Sequence, residues 1–160
     1  FKGETTFYGE STVGNCAIRH PVPRMYDDKI PLALNGPQYR NSQMCGACVK
    51  GRVTSNGNGN SPVTGHFEGY IMDQCPDCNH GDLDFGISGD GRWKVEWEFG
   101  KCQGSKPTFL FESSNSYFIK VQPRGMPMPA KRVKINGIKA TRTQDNFFEV
   151  HNGAGFSREL

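Results

Sequence analysis

The stretch Met72-Asp73-Gln74-Cys75-Pro76-Asp77-Cys78-Asn79-His80-Gly81-Asp82-Leu83-Asp84 combines an acidic run with a Cys-x-x-Cys pair. A second pair, Cys45-Gly46-Ala47-Cys48, lies upstream, and the chain has six cysteines in total. As thiolates, two such pairs predict a zinc site, whereas as disulfides they predict a cross-linked secreted module. In the second case the aspartates are free to face a ligand, so the state of the cysteines decides how the whole chain is interpreted.

The number and spacing of the cysteines favour disulfides. Residues 49–74 separate the two pairs, a longer gap than the roughly 15–20 residues of a four-cysteine zinc ribbon, although His66 and His80 are alternative ligands. Cys16 and Cys102 would have no role in such a zinc site, whereas an even number of cysteines suits three bridges. A thioredoxin-like redox motif in the second pair is a third alternative, but it needs a helix start that the following polar residues do not supply.

Length and composition limit the classes of protein to which this chain can belong. A chain of 160 residues with 35% hydrophobic content and a mean hydropathy of −0.62 has room for one domain or two small ones with modest cores. Its apolar runs fall far short of the roughly 20 residues that a membrane-spanning helix needs, so no membrane partner is expected. The 20 glycines and 10 prolines predict many turns and few long helices.

The charge of the chain is weakly basic. A net charge of +3 and an isoelectric point of about 8.6 are too low to predict a nucleic-acid partner. The basic residues of the C-terminal part form a cluster in the sequence: Lys120, Arg124, Lys131, Arg132, Lys134, Lys139 and Arg142. Such a cluster is typical of a solvated surface, and the alternative is an attraction to acidic polysaccharides such as pectin.

Residue periodicity predicts a chain that is almost entirely β-structure. The strand-like segments are 5–8, 47–54, 66–72, 92–99, 108–111, 116–122, 131–135 and 146–150. In 92–99, two tryptophans, a valine and a phenylalanine alternate with charged residues, and we interpret the apolar face as core. Asn136-Gly137 predicts a hairpin turn, while the tracts 55–62 and 126–129 predict loops because of their glycines and prolines.

A short polar segment separates two groups of predicted strands. Residues 100–107 are rich in turn-forming residues and lack an apolar pattern. We therefore expect a first domain at 1–102, a linker at 103–107 and a second domain at 108–160.

Five sequence blocks occur in a fixed order along the first part of the chain. They are Thr5-Thr6-Phe7-Tyr8-Gly9, Gly14-Asn15-Cys16, Cys45-Gly46-Ala47-Cys48-Val49, Met72-Asp73-Gln74-Cys75-Pro76 and Leu83-Asp84-Phe85. In this order they resemble the expansin-like superfamily, which includes loosenin-like and swollenin-like proteins. The resemblance implies an all-β fold: a six-stranded double-psi β-barrel, related to family 45 endoglucanases, followed by an immunoglobulin-like β-sandwich.

The resemblance is weaker over the second domain. It rests there on the segments 117–121, 131–135 and 147–150. Residues 108–160 are too few for the usual sandwich, so we expect this domain to be partial, either truncated or reduced. Bacterial members hold cellulose with a row of aromatic side chains on this domain. The nearest candidates here are Tyr117 and Phe118, and it is ambiguous which of Phe147 and Phe148 faces outward.

The resemblance also implies how the cysteines pair. In related plant proteins, the cysteine of the early Gly-x-Cys block pairs with the first cysteine of the Cys-Gly-x-Cys block. The second cysteine of that block pairs with the cysteine that closes the domain. Carried over to this chain, the bridges are Cys16–Cys45, Cys48–Cys102 and Cys75–Cys78. We therefore expect no metal and no other cofactor.

Several polar residues acquire roles from the resemblance. Asp84 falls at the most characteristic aspartate of the family, which is the general acid of related endoglucanases, and Asp73 falls at an aspartate that follows a barrel strand. Thr6 and Tyr8 match the edge of the barrel groove, where hydroxyls and an aromatic ring meet sugar. Inverting hydrolysis also needs a base carboxylate roughly 6.5–9.5 Å from the acid, and Glu10 lies where those endoglucanases carry it.

The remaining residues of the acidic run have other interpretations. A working acid needs a raised pKa, which burial or mutual repulsion among the aspartates can supply. We interpret Asp77 and Asp82 as turn and capping residues. Cys75 stands where bacterial members often have an aromatic residue, so that contact in the groove is lost or replaced.

These inferences predict a secreted, monomeric, extracellular protein of the cell wall. Expansins are taken to lack the base, so the resemblance implies binding of cellulose, xyloglucan or another β-glucan in the barrel groove and loosening without net hydrolysis. One alternative is a weak inverting β-1,4-endoglucanase with Asp84 as acid and Glu10 as base. The other is a non-enzymatic carbohydrate-binding protein on a barwin-like barrel.

Overall fold

The computed structural model describes residues 1–11, 13–54, 57–60 and 63–157. Four positions of the predicted loop at 55–62 and the last three positions of the predicted second domain lie outside the described residues. The described strands are β1 (Lys2–Phe7), β2 (Ile30–Asn35), β3 (Cys48–Val53), β4 (His66–Cys75), β5 (Leu83–Phe85), β6 (Trp93–Gly100), β7 (Thr108–Glu112), β8 (Phe118–Arg124), β9 (Lys134–Ile135), β10 (Ile138–Lys139), β11 (Thr141–Arg142) and β12 (Phe148–His151). Helical structure in these ranges is confined to a 3-10 turn at Arg24–Tyr26 and one α-helical turn, α1 (Gly36–Tyr39), and neither could cross a membrane.

Strands β1 to β6 close into a barrel in the order β1-β5-β2-β4-β3-β6. Two neighbouring pairs, β1 with β5 and β2 with β4, are parallel, so the chain makes crossover connections between them. The other neighbouring pairs are antiparallel. The all-β character and the six-stranded barrel implied by the resemblance are therefore confirmed.

The barrel core follows the alternation of its strands. In β6, Val95 and Trp97 are buried while Lys94 and Glu98 are exposed. The indole Nε1 of Trp97 also donates a hydrogen bond to the carbonyl of Gly81 at 2.7 Å. Burying a side chain such as Val95 contributes about 1.5–3 kcal/mol. The predicted core face of this strand is confirmed at both positions.

Two barrel strands, β2 and β5, are absent from the sequence predictions. β2 lies between β5 and β4, and its residues 32–35 are buried without alternation, because a strand covered on both faces loses the period-two pattern. β5 has only three residues, too few to establish a period. β4 continues past its predicted end at Met72 to Cys75, because its last residues pair with β2.

The remaining strands form one antiparallel sheet and one hairpin. The sheet has the order β11-β12-β8-β7, and β9 pairs with β10 across the predicted Asn136-Gly137 turn. Ile119, Val121, Phe148 and Val150 form the centre of its core, against which apolar residues of the hairpin pack. The described part of the predicted second domain is thus a single four-stranded sheet with a hairpin, and its division from the barrel at 103–107 stays a prediction.

A polar face of this sheet packs against the barrel loop at 14–21. Gln122, 1% exposed, donates from Nε2 to the carbonyl of Cys16 at 3.0 Å. The guanidinium of Arg124, 8% exposed, donates to three carbonyls of the same loop: Ala17 (3.3 Å), Arg19 (2.9 Å) and Pro21 (3.1 Å). The interpretation of the basic cluster as a solvated surface is therefore wrong for Arg124, whose charge is satisfied by backbone carbonyls in the interior.

A second set of hydrogen bonds joins the sheet to the segment after α1. Buried Ser42 donates from Oγ to the carbonyl of Thr143 at 2.7 Å, and its own carbonyl accepts from Nη1 of Arg142 at 3.2 Å. Asn146 donates from Nδ2 to the carbonyl of Cys16 at 3.1 Å. The sheet therefore holds the barrel loop from one side through several buried polar contacts.

The cysteines form the three bridges that the resemblance implies: Cys16–Cys45, Cys48–Cys102 and Cys75–Cys78. No cysteine among the described residues is free, so the zinc and redox alternatives have no thiolate on which to act. The first two bridges span sequence separations of 29 and 54. In the chain-entropy model, loops of this size stabilise the folded state by roughly 3–4 kcal/mol each.

Candidate functional site

One row of register partners crosses four neighbouring barrel strands. Thr6 in β1 pairs with Asp84 in β5, and Asp84 pairs with Ala33 in β2. Ala33 in turn pairs with Asp73 in β4, just past an irregularity in the register. Residues that pair directly point to the same face of a sheet, so Thr6 and the two aspartates share one face. Neighbouring strands lie about 4.7–4.9 Å apart, which places the backbones of Asp84 and Asp73 roughly 10 Å apart.

Asp84 is a half-buried carboxyl held in place by Thr6. Thr6 Oγ1 donates to Asp84 Oδ1 at 2.8 Å. Burial raises the pKa of Asp84 above its ordinary value, and this outweighs the hydrogen bonds from Thr6 and the Phe85 backbone and the charge of Arg92, which lower it. A carboxyl with a raised pKa can donate a proton or a hydrogen bond as well as accept one.

Asp73 is held by backbone donors. Its Oδ1 accepts from the N–H groups of Asn15 at 2.7 Å and Gln74 at 2.8 Å. The loop approaches so closely at Gly14 that a Cβ atom there would lie 2.3 Å from the carbonyl of Met72 and 2.6 Å from Cβ of Asp73. Only glycine fits at this position, so the loop that carries Asn15 is fixed to the strand that carries Asp73.

Tyr8 lies close enough to both carboxylates to be affected by their charges. It follows β1 directly, its N–H donates to the carbonyl of Phe85 at 3.1 Å, and its side chain is partly exposed. Burial, together with the negative charges of Asp73 and Asp84, raises the pKa of the Tyr8 phenol far above its ordinary range. The phenol therefore stays protonated and can donate. Thr6, Tyr8, Asp73 and Asp84, to which the resemblance assigns site roles, thus lie near one another, and their roles stay predictions.

Glu10 has a different environment. It is exposed, lies beyond the end of β1, and makes no hydrogen bond or ion pair with any described residue. It is not part of the strand-paired row, so its role as a base stays a prediction.

Asp82 and Asp77 differ from the groove aspartates. The Asp82 carboxylate accepts from the N–H groups of Glu4 at 2.8 Å and Asn79 at 3.0 Å, so it joins β1 to the turn that carries the Cys75–Cys78 bridge. Asp77 is exposed on that same turn. Asp82 therefore acts as a buried cap for backbone groups.

The aromatic residues of the second sheet are exposed to different degrees. Tyr117 is 61% exposed just before β8, while Phe118 is half-buried with its ring 4.7 Å from that of His151. Phe147 and Phe148 are both buried, so neither can serve as a surface platform. Two exposed phenylalanines that the sequence analysis did not single out lie on the edge strand β7: Phe109 and Phe111.

Two residues that sequence reasoning missed lie close to the row. Asn15 donates from Nδ2 to Tyr39 Oη at 2.8 Å and to the Gln144 carbonyl at 3.2 Å, so it bridges the groove and the second sheet. Arg92 acts on the pKa of Asp84 through its charge. The block Gly14-Asn15-Cys16 could have indicated that Asn15 lies near the site. The sequence around Arg92 contains no such indication.

The raised pKa of Asp84 predicts a cost to stability that depends on pH. Burial disfavours the charged carboxylate, so the contribution of Asp84 to stability is present below its ordinary pKa of 3.8 and is lost as the pH rises through its folded pKa. At pH 7 we expect Asp84→Asn to raise the free energy of unfolding, by less than about 1 kcal/mol because solvent still reaches the group. Urea unfolding at about pH 7 and pH 3 measures this gain, which should vanish at the lower pH.

Asp28→Asn is the matched comparison for this measurement. The hydrogen bond and charge of Lys29 hold the pKa of Asp28 below its ordinary value, so its stabilising effect is present at neutral pH and is lost as the pH falls. The two variants should therefore change stability at pH 7 in opposite directions. A gain for Asp84→Asn that is equal at both pH values would contradict the assignment of a raised pKa.

The site offers carboxylates at Asp73 and Asp84, a hydroxyl at Thr6 and a phenol at Tyr8. In the part of the chain that the structure describes, no three His, Cys, Asp or Glu side chains are arranged to hold a metal ion. Carboxylates, hydroxyls and phenols can exchange hydrogen bonds with a polar ligand.

Neither a family model nor a curated protein matches this sequence. Solved structures do match. A point mutant of the expansin of Clavibacter michiganensis in complex with cellohexaose aligns with a TM-score of 0.71 and 19% sequence identity, over 92% of this chain and 76% of that chain. The apo form of that expansin aligns with a TM-score of 0.67 and 20% identity over the same shares.

The chain has the fold of an expansin. The alignment covers 92% of this chain, so the likeness extends over both the barrel and the sheet that follows it. At this level of sequence identity the likeness concerns the fold.

Proposed function

We propose that the protein is a secreted, expansin-like protein that binds β-glucan of the cell wall in the barrel groove and loosens polysaccharide contacts without net hydrolysis. The observation that carries this proposal is the Thr6–Asp84 hydrogen bond within a row that ends at Asp73. The cellohexaose complex of the Clavibacter expansin supports a glucan as the ligand class. The three disulfides support an oxidising, extracellular location.

The groove can compete for the hydrogen bonds between glucan chains. Sugar hydroxyls both donate and accept, and the groove offers acceptors at Asp73, Asp84 and the Thr6 hydroxyl oxygen and a donor at Tyr8. Hydrogen bonds to charged groups are worth about 1.5–3 kcal/mol, more than bonds between neutral hydroxyls. A chain seated in the groove therefore exchanges its contacts with neighbouring chains for stronger contacts with the protein.

The proposal is tested by measuring mechanical weakening and bond cleavage on the same material. Purified protein is applied to cellulose paper and to heat-killed wall strips held under constant load. We expect the paper to weaken and the strips to extend, with no reducing sugar in the supernatant. Glycan binding without weakening would instead support the non-enzymatic binding alternative, and absence of binding would contradict the proposal.

One observation favours the weak endoglucanase as a second candidate function. The raised pKa of Asp84 is the property that a general acid requires, and exposed Glu10 is the nearest candidate for a base in the sequence pattern. We expect no measurable release of reducing sugar from soluble β-glucan at high protein concentration, and no difference between the unmodified protein and Glu10→Gln. Release that is lost in Glu10→Gln would favour hydrolysis.

A further inference from the structure

A pocket of about 240 Å³ lies at the Thr6 end of the row, between β1, the turn at 75–79 and Arg92. Its walls include Glu4, Thr6, Asn79, Arg92 and the Cys75–Cys78 bridge. Pockets for drug-sized ligands occupy about 300–1,000 Å³, so this one suits a single small ring. Of its residues, only Thr6 belongs to the groove row described above.

The pocket shares Thr6 with the groove row. Thr5 in β1 pairs with Trp93, the first residue of β6, so Arg92, which directly precedes β6, lies beside Thr6. The charge of Arg92 lowers the pKa of Asp84, which places the guanidinium near that carboxylate. Thr6 lines the pocket and also donates to Asp84 Oδ1 at 2.8 Å. A ligand chain that lies along the row from Asp73 to Thr6 therefore reaches this pocket at Thr6, which belongs to both.

The polar groups of the pocket are accessible and complementary to sugar hydroxyls. Arg92 Nη1 and Glu4 Oε2 form an ion pair at 2.7 Å, with side chains 60% and 41% exposed. The guanidinium has further N–H donors and the carboxylate has a second oxygen. Of two adjacent sugar hydroxyls, one can accept a hydrogen bond from the guanidinium of Arg92, and the other can donate one to the carboxylate of Glu4. The pair thus presents one donor and one acceptor group side by side, with charge-assisted hydrogen bonds.

The walls of the pocket are fixed in advance. The buried Asp82 carboxylate accepts from the N–H of Glu4 on β1 and from the N–H of Asn79 on the opposite turn. The Cys75–Cys78 bridge closes that turn and adds two polarisable sulfur atoms, against which the C–H face of a ring can pack. A ligand therefore does not have to order this part of the protein when it binds.

We propose that this pocket is an end subsite of the groove that takes one pyranose ring of a neutral β-glucan chain. Arg92 donates to the vicinal hydroxyls of that ring and Glu4 accepts from them. The subsite rests on the proposed function, because it extends the glucan groove of Thr6, Tyr8 and Asp84.

The test is the dependence of affinity on the length of the ligand. Isothermal titration calorimetry of cello-oligosaccharides of increasing length gives the gain in affinity for each added glucose unit. In Arg92→Gln and in Glu4→Gln, we expect the affinity for the longest oligomers to fall about tenfold, which corresponds to about one charge-assisted hydrogen bond. The affinity for the shortest oligomers that bind should stay within about twofold of the unmodified protein.

Arg52→Gln is the matched control. Arg52 forms an exposed ion pair of the same kind, at 2.8 Å from Glu96, and neither residue lines this pocket. The Arg52→Gln variant should bind cello-oligosaccharides of every length with the affinity of the unmodified protein. If Arg92→Gln binds all lengths as the unmodified protein does, or loses affinity equally at all lengths, the subsite is wrong while the groove proposal stands. If the unmodified protein binds no oligomer, the groove proposal fails and the subsite with it.

Discussion

Asp84→Asn is expected to lower wall loosening at least about tenfold while the barrel stays folded. The carboxyl is the central member of the groove row, positioned by the 2.8 Å hydrogen bond from Thr6 Oγ1. Asparagine keeps the shape and can still accept from Thr6, but it removes the charge and the exchangeable proton of the carboxyl. The loss of one charge-assisted hydrogen bond to a glucan hydroxyl costs about 1.5–3 kcal/mol, or about 10- to 100-fold in binding.

The measurement is the extension of heat-killed wall strips under load, together with the binding of cellulose. Asp28→Asn is the control, because it removes an exposed carboxylate paired with Lys29, away from the groove. Since Asp84→Asn should be slightly more stable than the unmodified protein at neutral pH, unfolding does not account for a loss of activity. Strips that extend equally with both variants would exclude Asp84 from the loosening mechanism.

Arg124→Met is expected to lower the free energy of unfolding by about 3 kcal/mol. Methionine fills much of the space of the arginine side chain, but it leaves the carbonyls of Ala17, Arg19 and Pro21 without their donor. Each buried acceptor that is left unsatisfied costs about 1–3 kcal/mol, and partial hydration recovers some of this. For a protein of this size, such a loss lowers Tm by roughly 6–12 °C.

Arg132→Met provides the control for this second experiment. Arg132 is an exposed arginine in the same part of the chain, and its replacement should change stability by no more than about 0.5 kcal/mol. Urea and thermal unfolding, followed by circular dichroism, give both values. A loss below about 1 kcal/mol for Arg124→Met would mean that the buried hydrogen bonds do not hold the sheet to the barrel.

Sequence reasoning could predict the barrel, the disulfides and the groove row because of the five ordered blocks. Thr6 and Asp84 lie 78 residues apart, and their contact depends on the parallel pairing of β1 with β5. Periodicity alone contains no information about such a pairing, and it misses β5 altogether because three residues are too few. The resemblance to a known family supplied the missing connection.

The contact between the sheet and the barrel could not be predicted from the sequence. Arg124 looks like one more member of a basic surface cluster, and its burial depends on acceptors that are backbone carbonyls. Every residue has such a carbonyl, so the acceptors leave no trace in the sequence. For the same reason, the sequence does not indicate that Gln122 and Asn146 contact the barrel. The Arg92–Glu4 pair is also invisible in the sequence, because its members are 88 residues apart.

The buried hydrogen bonds of the second sheet also determine how mechanical load travels through the molecule. They attach the sheet to the barrel loop at 14–21. The N–H group of Asn15 in this loop donates a hydrogen bond to Asp73. A force on the sheet therefore reaches this loop through the buried hydrogen bonds as well as through residues 103–107, and it acts next to the backbone donor of Asp73.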